Sequence, residues 1–284
     1  NTHRLVKRIG EIRSRNRLIR LLFDDTHHRL VTDTGSMEAY ELGHYDGVLA
    51  FGETLRGIYA QRGLARRAWT WHEAADTRVF RPVQGCAYEG DVVWVGNWGD
   101  EERTREMNEF LVGPVSTLKL KCRVYGVRYP EEARRLLAEK SIRYSGWAPN
   151  FRVPQIFSSH RVTLHVPRRP YATALRGIPT IRVFEALACG IPLICSPWDD
   201  CEGLFAPGED FLVARNGREM TRHLREVINN CALAAELSAY GLRTIRSKHT
   251  CSHRAAELLA ICRDLGLKTD ATEKKLPEVK SCRA

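Results

Sequence analysis

The chain has 284 residues, of which 43% are hydrophobic and 27% charged, a composition typical of a globular protein with a sizeable core. No apolar run approaches the roughly 20 residues that a membrane-spanning helix needs, and the charged start lacks the apolar segment of a secretory signal. The nine cysteines show neither CxxC pairs nor zinc-ligand spacing, so we expect reduced thiols in a cytoplasmic protein and no metal.

The formal net charge of +10 is compatible with nucleic acid, anionic lipid or a phosphorylated small ligand as partner. Zinc-finger spacing and the aromatic motif of RNA-binding domains are absent from the sequence, so nucleic acid is not expected and stays a third alternative. The basic segment 4–16 has Leu5, Ile9 and Ile12 at helical spacing, which predicts an amphipathic helix. That segment gives the protein a predicted peripheral contact with a membrane.

Short apolar runs alternate with helical stretches along the whole chain, a pattern typical of an α/β fold with parallel sheets. In the first part we predict strands over 18–23, 48–51 and 68–71, and a helix over 54–62. The polar, proline-containing stretch HEAADTRVFRPV that follows predicts a linker.

A second alternating series begins at Asp91. Its strands are predicted at 92–95, 122–125, 142–144, 162–166, 191–195 and 211–213. Its helices are predicted at 101–111, 130–139, 153–158, 180–189, 218–230, 232–246 and 252–265. We therefore expect a partial amino-terminal Rossmann-like domain with its linker at 1–82, a nucleotide-binding Rossmann-like domain at 83–263, and a disordered polar tail at 264–284.

The most informative segment is GIPTIRVFEALACGIPLICSP at 177–197, which predicts a helix, a glycine stop and a buried strand. Free backbone N–H groups at a helix N-terminus attract anions, and Arg182 lies in the first turn. Glu185 lies one turn further on, where it would accept hydrogen bonds from ribose hydroxyls. The arrangement suits a nucleoside diphosphate, and an ordinary amphipathic helix with solvated Arg182 and Glu185 is the alternative.

Several predicted strands of the second series end in glycine followed by polar residues. Ligands of open parallel sheets bind beyond these strand ends. The candidates there are Gly96, Asn97 and Arg103 after one strand, Gly146 and Trp147 after another, and the HVPRRPY run at 165–171. No GxGxxG or P-loop pattern is present, so neither a dinucleotide enzyme nor a P-loop NTPase is expected.

Acidic and histidine residues follow two strands of the first part. FDDTHHR at 23–29 contains Asp25 and His27, and His72-Glu73 follows the third strand. Histidine acts as a general acid or base near neutral pH, so Asp25, His27 and His72 are candidate catalytic groups. The alternative is a set of polar loops with capping carboxylates and solvated histidines.

These pieces, in this order, resemble the retaining GT-B glycosyltransferases, which have two Rossmann-like domains, and in particular their group 1 and CgeB-like (spore maturation protein-like) branch. The segments that carry the resemblance are ADTRVFRP, VVWVGN, SGWAPNFRVPQIFSSHRVTLHVP and, most specifically, RVFEALACGIPLICSP. The resemblance implies metal-independent transfer of a sugar from a nucleotide-sugar donor to an unknown glycan, lipid or protein acceptor, with retention and without a cofactor. It also implies a closing helix that packs back on the first domain.

The resemblance further implies roles for the candidate residues. Glu185 would bind the donor ribose, and Arg182 with the Thr180 and Ile181 amides would hold the diphosphate. The remaining donor contacts would come from Gly96, Asn97, Arg103, Gly146 and Trp147.

The chain departs from the family pattern in two respects. Many members have a second glutamate eight positions before the ribose-binding one, where this chain has Gly177. The family's amino-terminal domain is also normally longer than residues 1–82. The alternative function is therefore a non-catalytic nucleotide-binding module, or an inactive fragment of such an enzyme.

Overall fold

The computed structural model of the protein describes residues 2–16, 18–99 and 101–269. Its strands form two sheets, of three and six strands, and every strand pair in both is parallel. Helices connect the strands along the chain. The predicted α/β fold, with a larger carboxyl-terminal sheet and a smaller amino-terminal one, is confirmed.

The first sheet has the strand order β1-β2-β3. Its strands are β1 (Leu22–Asp25), β2 (Gly47–Ala50) and β3 (Ala68–Thr70). The helices of this part are α1 (Thr2–Arg15), α2 (Arg29–Thr32), α3 (Thr34–Glu38) and α4 (Glu53–Arg62), with a 3-10 turn at Leu42–His44.

The first strand begins later than the predicted range 18–23. Leu18 and Ile19 are 93% and 45% exposed, so the apolar run starts outside the sheet and the strand starts at Leu22. It extends to Asp25, whose buried carboxylate accepts a hydrogen bond from the Tyr59 hydroxyl at 2.7 Å. Helices α2 and α3 were not expected because each spans about one turn, too short for an apolar periodicity to show in the sequence.

The second sheet has the strand order β6-β5-β4-β7-β8-β9. Its strands are β4 (Gly90–Val95), β5 (Cys122–Tyr125), β6 (Arg143–Tyr144), β7 (His160–His165), β8 (Leu193–Cys195) and β9 (Leu212–Val213). Its helices are α5 (Thr104–Met107), α6 (Gly113–Leu118), α7 (Glu131–Glu139), α8 (Val153–Ser158), α9 (Arg169–Thr173), α10 (Ile181–Ala188), α11 (Gly217–Asn229), α12 (Cys231–Lys248) and α13 (Cys251–Asp264). A π-helical turn at Asn108–Val112 joins α5 to α6, and a 3-10 turn at Asn150–Arg152 precedes α8.

The helix predicted at 101–111 instead begins at Thr104 and continues to Leu118. Arg103 has a non-helical φ of −152°, so it still belongs to the preceding loop and the helix begins at the next residue. Beyond the predicted end, Val112 and Val115 are buried in the same core as β4, so core packing extends the helical segment.

The second sheet is covered on both faces. Val92 and Trp94 of β4 belong to one apolar core, and Val93 and Val95 belong to another. This alternation follows from the two-residue period of a strand. Phe184 of α10 lies in the second core, so burial of this helix fixes the direction of its N-terminus.

The closing helix α13 packs back on the first sheet, as the resemblance implies. Trp71 Nε1 donates to the carbonyl of Arg254 at 2.9 Å, and Trp69 Nε1 donates to Asp264 Oδ2 at 3.1 Å. The predicted boundary at 82–83 lies between β3 and β4 and stays a prediction. Residues 270–284 of the predicted tail lie outside the described residues.

Candidate active site

A cavity of about 290 Å³ opens between the two sheets, beyond the carboxyl ends of β1, β4 and β7 and at the N-terminus of α10. The predicted site residues that line it are His27, Gly96, Asn97, Arg103, Thr180, Ile181 and Arg182. Residues from distant parts of the chain thus meet at one place. Asp25, His72, Gly146, Trp147 and Glu185 do not line this cavity.

The N-terminus of α10 forms one wall of the cavity. Thr180 precedes the helix with an extended backbone, and its Oγ1 lies 3.2 Å from Nε2 of His165. The first N–H groups of a helix have no partner within it, so the amides of Ile181 and Arg182 are placed to receive an anion. Burial lowers the pKa of His165 to about 3, so this ring is neutral and supports Thr180 without adding charge.

Arg182 and Glu185 are paired with each other. Arg182 Nη1 donates to Glu185 Oε2, and the Arg182 side chain is 31% exposed while that of Glu185 is 6% exposed. Burial raises the pKa of Glu185, and the charge of Arg182 opposes that rise. A nucleotide that used Arg182 for phosphate and Glu185 for ribose would therefore exchange this ion pair for contacts with the ligand.

Arg103 is buried in the cavity wall with its guanidinium directed at backbone carbonyls. It donates to the oxygens of Trp98 at 3.3 Å, Val166 at 2.9 Å and Asn97, and it stacks over Trp94 at 5.1 Å. These bonds fix the loop after β4 against the end of β7. The contact of Arg103 with the diphosphate stays a prediction. In this structure its guanidinium is hydrogen-bonded to backbone oxygens.

The loops after β4, β5 and β6 are joined to one another. A Cβ on Gly126, whose φ is +153°, would lie 2.0 Å from the Gly96 oxygen, so this close approach requires glycine. Gly126 N donates to the Gly146 oxygen at 2.8 Å, and the Tyr129 hydroxyl donates to the Gly96 oxygen at 2.8 Å. Asn97 Oδ1 accepts a hydrogen bond from the N–H of Val127 at 3.2 Å.

Trp147 follows Gly146, whose φ is +70°, and is 70% exposed. It lines a separate cavity of about 400 Å³ together with Tyr125 and Pro149. The exposed indole is thus available for stacking, but the structure does not bring it to the cavity at α10. Its contact with a nucleobase stays a prediction.

The loop after β1 separates its two candidate residues. Asp25 accepts hydrogen bonds from the Tyr59 hydroxyl and from the His27 N–H at 3.2 Å, and burial raises its pKa. The His27 ring lines the cavity, and its Nδ1 is buried without a hydrogen-bond partner among the described residues. Burial lowers the pKa of His27 to about 4, and His28, Arg29 and Arg168 add to this effect, so the ring is neutral at pH 7.

His72 lies in a neighbouring cavity of about 360 Å³, whose wall includes Ile181. Its Nε2 is 2.7 Å from Glu202 Oε2, and Glu202 Oε1 accepts from the N–H of Glu53 at 2.8 Å. Sequence reasoning missed Glu202. A Cβ on Gly177 would lie 3.0 Å from Glu202 Oε1, so this carboxylate occupies the space beside the position where the resemblance implies a second glutamate.

Arg168 and Tyr171 also line the cavity at α10. Arg168 Nη1 donates to Glu102 Oε2 at 3.1 Å, and the same carboxylate oxygen lies 3.4 Å from Nε2 of His28. Both lining residues belong to the predicted HVPRRPY run. The contact between Glu102 and His28 joins the two sides of the cleft.

The fold is that of GT-B glycosyltransferases. The family model described as glycosyl transferase-like matches residues 103–260, more than half of the chain. The protein therefore belongs to the glycosyl transferase-like family. No curated protein sequence is significantly similar to it.

Solved structures show the same fold at low sequence identity. HepE (Alr3699) from Anabaena, in complex with UDP-glucose, has a TM-score of 0.69 at 12% identity, covering 91% of this chain and 76% of HepE. Sucrose-phosphate synthase from Thermosynechococcus elongatus has a TM-score of 0.64 at 16% identity, covering 85% and 64% of the two chains. BGT from phage T4, in complex with its UDP-glucose substrate, has a TM-score of 0.61 at 16% identity, covering 87% and 73%.

The chain thus spans less than two thirds of the sucrose-phosphate synthase chain. None of these similarities singles out the CgeB-like branch. Among the described residues, no helix combines the length and apolarity needed to cross a membrane.

Proposed function

We propose that the protein transfers a glycosyl group from a nucleotide-sugar donor to an acceptor, with the donor diphosphate at the N-terminus of α10. The observation that carries this proposal is the convergence of the α10 amides, Arg182 and the glycine-rich loop after β4 on one cavity between the sheets. UDP-glucose is the first donor to test because HepE and T4 BGT, which share the fold, were solved with it.

The chemical contribution of the site would be electrostatic. Charge accumulates on the departing diphosphate during transfer, and fixed N–H groups at a helix N-terminus stabilise such charge without reorganisation. Arg182 would add a cation, so the proposal needs no metal ion. Glu185 would accept hydrogen bonds from the ribose hydroxyls once Arg182 has turned toward phosphate.

Retention of anomeric configuration and membership of the CgeB-like branch also belong to the proposal. They are supported by the RVFEALACGIPLICSP segment, which the structure forms as α10 and β8. His27 would face the sugar or the acceptor, because its ring lines the cavity from the side of the first sheet.

The test is a calorimetric titration with UDP, GDP and ADP, followed by an assay of nucleotide release from the corresponding glucose donors. Binding of one nucleotide together with turnover supports the enzyme. Binding without turnover by the complete gene product favours the non-catalytic module, and no binding of any of the three contradicts the site.

We also propose that α1 rests on an anionic membrane surface. Its outer row consists of Leu5, Ile9 and Ile12, which are 61%, 38% and 53% exposed, and the exposed Arg8 lies beside them. The inner side is held to the protein, since the Tyr45 hydroxyl donates to the Val6 carbonyl at 2.8 Å. Apolar residues flanked by arginine are what an anionic bilayer surface binds.

Sedimentation with vesicles separates this contact from non-specific adsorption. We expect binding to vesicles that contain phosphatidylglycerol, weaker binding to pure phosphatidylcholine, and loss of binding in Ile9→Glu. Ser14→Glu, on a polar position of the same helix, adds the same charge as a matched control. Equal loss of vesicle binding in both variants would show a general charge effect and would contradict a specific contact through Leu5, Ile9 and Ile12.

A further inference from the structure

Glu73 is a half-buried acid next to the proposed donor site. It lies in the loop after β3 and lines the 360 Å³ cavity whose wall includes Ile181, the first residue of α10. Ile181 also lines the cavity at the α10 N-terminus, so the two cavities are neighbours. The Oε2 atom of Glu73 is buried and has no hydrogen-bond partner among the described residues. A buried carboxyl oxygen in this state is costly, and a ligand hydroxyl would satisfy it.

Two further acids and one cation act on Glu73. Glu185 of α10 and Asp24 of β1 disfavour a negative charge on it, and Arg182 favours one. Arg182 is already paired with Glu185. Burial, reinforced by the two acids, raises the pKa of Glu73 to about 8, so this carboxyl group holds a proton at neutral pH.

The other titratable groups around this cavity have their own partners or are neutral. His72 pairs with Glu202, and Arg254 of α13 donates to the Lys248 carbonyl and pairs with Glu257. Burial raises the pKa values of the Cys251 thiol at the start of α13 and of the Tyr171 phenol on α9, so both are uncharged at pH 7.

We propose that Glu73 binds the nucleotide-sugar donor as a neutral, protonated carboxyl group that hydrogen-bonds a donor hydroxyl beside Glu185, and that donor binding requires this proton. The inference rests on the proposed function, which does not itself involve Glu73. When Arg182 turns to the diphosphate, Glu185 loses its cation while the ligand adds negative charge. Since the charge of Glu185 disfavours a second negative charge on Glu73, we expect the pair to keep one proton in the complex.

The proposal fixes how affinity depends on pH. The bound state needs protonated Glu73, so its pKa is higher in the complex than in the free protein. Below about pH 8 the free protein already carries the proton, and affinity is level. Above that value each bound nucleotide must take up a proton, and affinity falls by up to about tenfold per pH unit.

The experiment is a calorimetric titration of the full chain with UDP between pH 7 and 10, in two buffers of different ionisation enthalpy. We expect proton uptake on binding that grows above pH 8 in the natural protein. Glu73→Gln, a neutral variant of the same shape, should bind UDP within a few-fold of the natural protein at pH 7 and lose the uptake. Glu257→Gln, which removes a carboxylate that is 43% exposed on α13, is the matched control and should keep it.

The outcomes distinguish this inference from the donor site itself. Ionisation of UDP contributes equally to all three proteins, so only the difference between Glu73→Gln and the others counts. Identical pH profiles in all three proteins would overturn the role of Glu73 and leave the donor site standing. A folded Glu73→Gln variant that no longer binds UDP at pH 7, while the natural protein does, would show that a charged carboxylate is required and would also overturn it. Absence of nucleotide binding by the natural protein at every pH would overturn both.

Discussion

At the scale of single residues, the loop after β1 carries two neighbouring groups in different environments. The carboxylate of Asp25 is occupied by the Tyr59 hydroxyl and the His27 N–H. The ring of His27 lines the cavity. Asp25 therefore supports the loop, and His27 is the residue of the two that lines the cavity.

Replacement of these two residues should affect different properties, stability for Asp25 and turnover for His27. Asp25→Ala leaves the Tyr59 hydroxyl without its partner in the core, so we expect the free energy of unfolding to fall by about 1–3 kcal/mol with UDP affinity retained. His27→Ala should keep stability and lower turnover by about 10²-fold, the lower end for an acid–base group. Denaturant unfolding and nucleotide release measure the two effects. Weaker UDP binding by Asp25→Ala, with unchanged stability, would contradict the assignment.

Buried neutral histidines make stability depend on pH. Burial lowers the pKa of His165 to about 3 and that of His249 to about 4, below the unfolded value near 6.5. Between these values the unfolded chain binds more protons, so stability is fully present above pH 6.5 and is lost as pH falls toward 4.

We expect this loss to be about 1.4 kcal/mol per pH unit for each of the two histidines. His165→Gln and His249→Gln should each reduce the slope of unfolding free energy against pH over 4.5–6, measured by urea titration. His3→Gln, at a position without this burial, is the control and should leave the slope unchanged. A slope that is equal in all four proteins would show that these rings are protonated in the folded state.

At the scale of elements, the sequence was sufficient for α10 and its surroundings. The start at Ile181 and the end before Gly190 follow from local signals, namely the preceding Pro179 and Thr180 and the apolar spacing. Strand β4 was also predictable from a local signal, because a continuous apolar run is typical of a strand covered on both faces. The predicted start of β1 at residue 18 was wrong because an exposed apolar run has the same local pattern as a buried one.

Contacts between distant segments were not predictable from the sequence. The engagement of Arg103 with the Val166 carbonyl depends on the meeting of the loop after β4 with the end of β7. The position of Glu202 beside Gly177 depends on a loop that returns from β8. No local pattern marks either contact, because the partners are separated by many residues in the chain.

Gly177 and Gly203 provide a matched pair for testing the second of these contacts. Their φ angles are +82° and +65°, so alanine strains the backbone at either position. A Cβ at 177 would lie 2.8 Å from Cys201 Sγ and 2.9 Å from Glu202 Cγ, whereas a Cβ at 203 meets nothing within 4 Å. We expect Gly203→Ala to cost about 1 kcal/mol of unfolding free energy and Gly177→Ala about 1–3 kcal/mol more.

Denaturant unfolding of both variants measures the difference. Gly177→Glu, which introduces the second glutamate that the resemblance implies, should be destabilised as well and should gain no activity, since Glu202 already occupies that space. Equal costs for the two alanine variants would show that the Glu202 loop moves aside freely.

At the scale of the whole molecule, the two sheets are tied together around the cleft. Thr54 Oγ1 donates to the Arg176 carbonyl at 2.8 Å, Glu202 bonds the N-terminus of α4, and α13 packs on β3. These links hold the first sheet and its helices against the second. The cavity between them is where a reaction between two substrates would be expected in this fold.

The central claim is that α10 binds a nucleoside diphosphate through Arg182 and Glu185, and titration of UDP and uridine against two variants tests it most directly. Glu185→Gln should weaken both ligands by about 1.5–3 kcal/mol, because a charge-assisted hydrogen bond to ribose is lost. Arg182→Ala should weaken UDP and change uridine little, since in the proposed complex Arg182 has left Glu185 and contacts phosphate. Folding of both variants is checked by thermal unfolding, with Glu257→Gln as a control that should bind as the natural protein does. If both variants are folded and bind UDP with unchanged affinity, α10 is a scaffold and the donor site lies elsewhere.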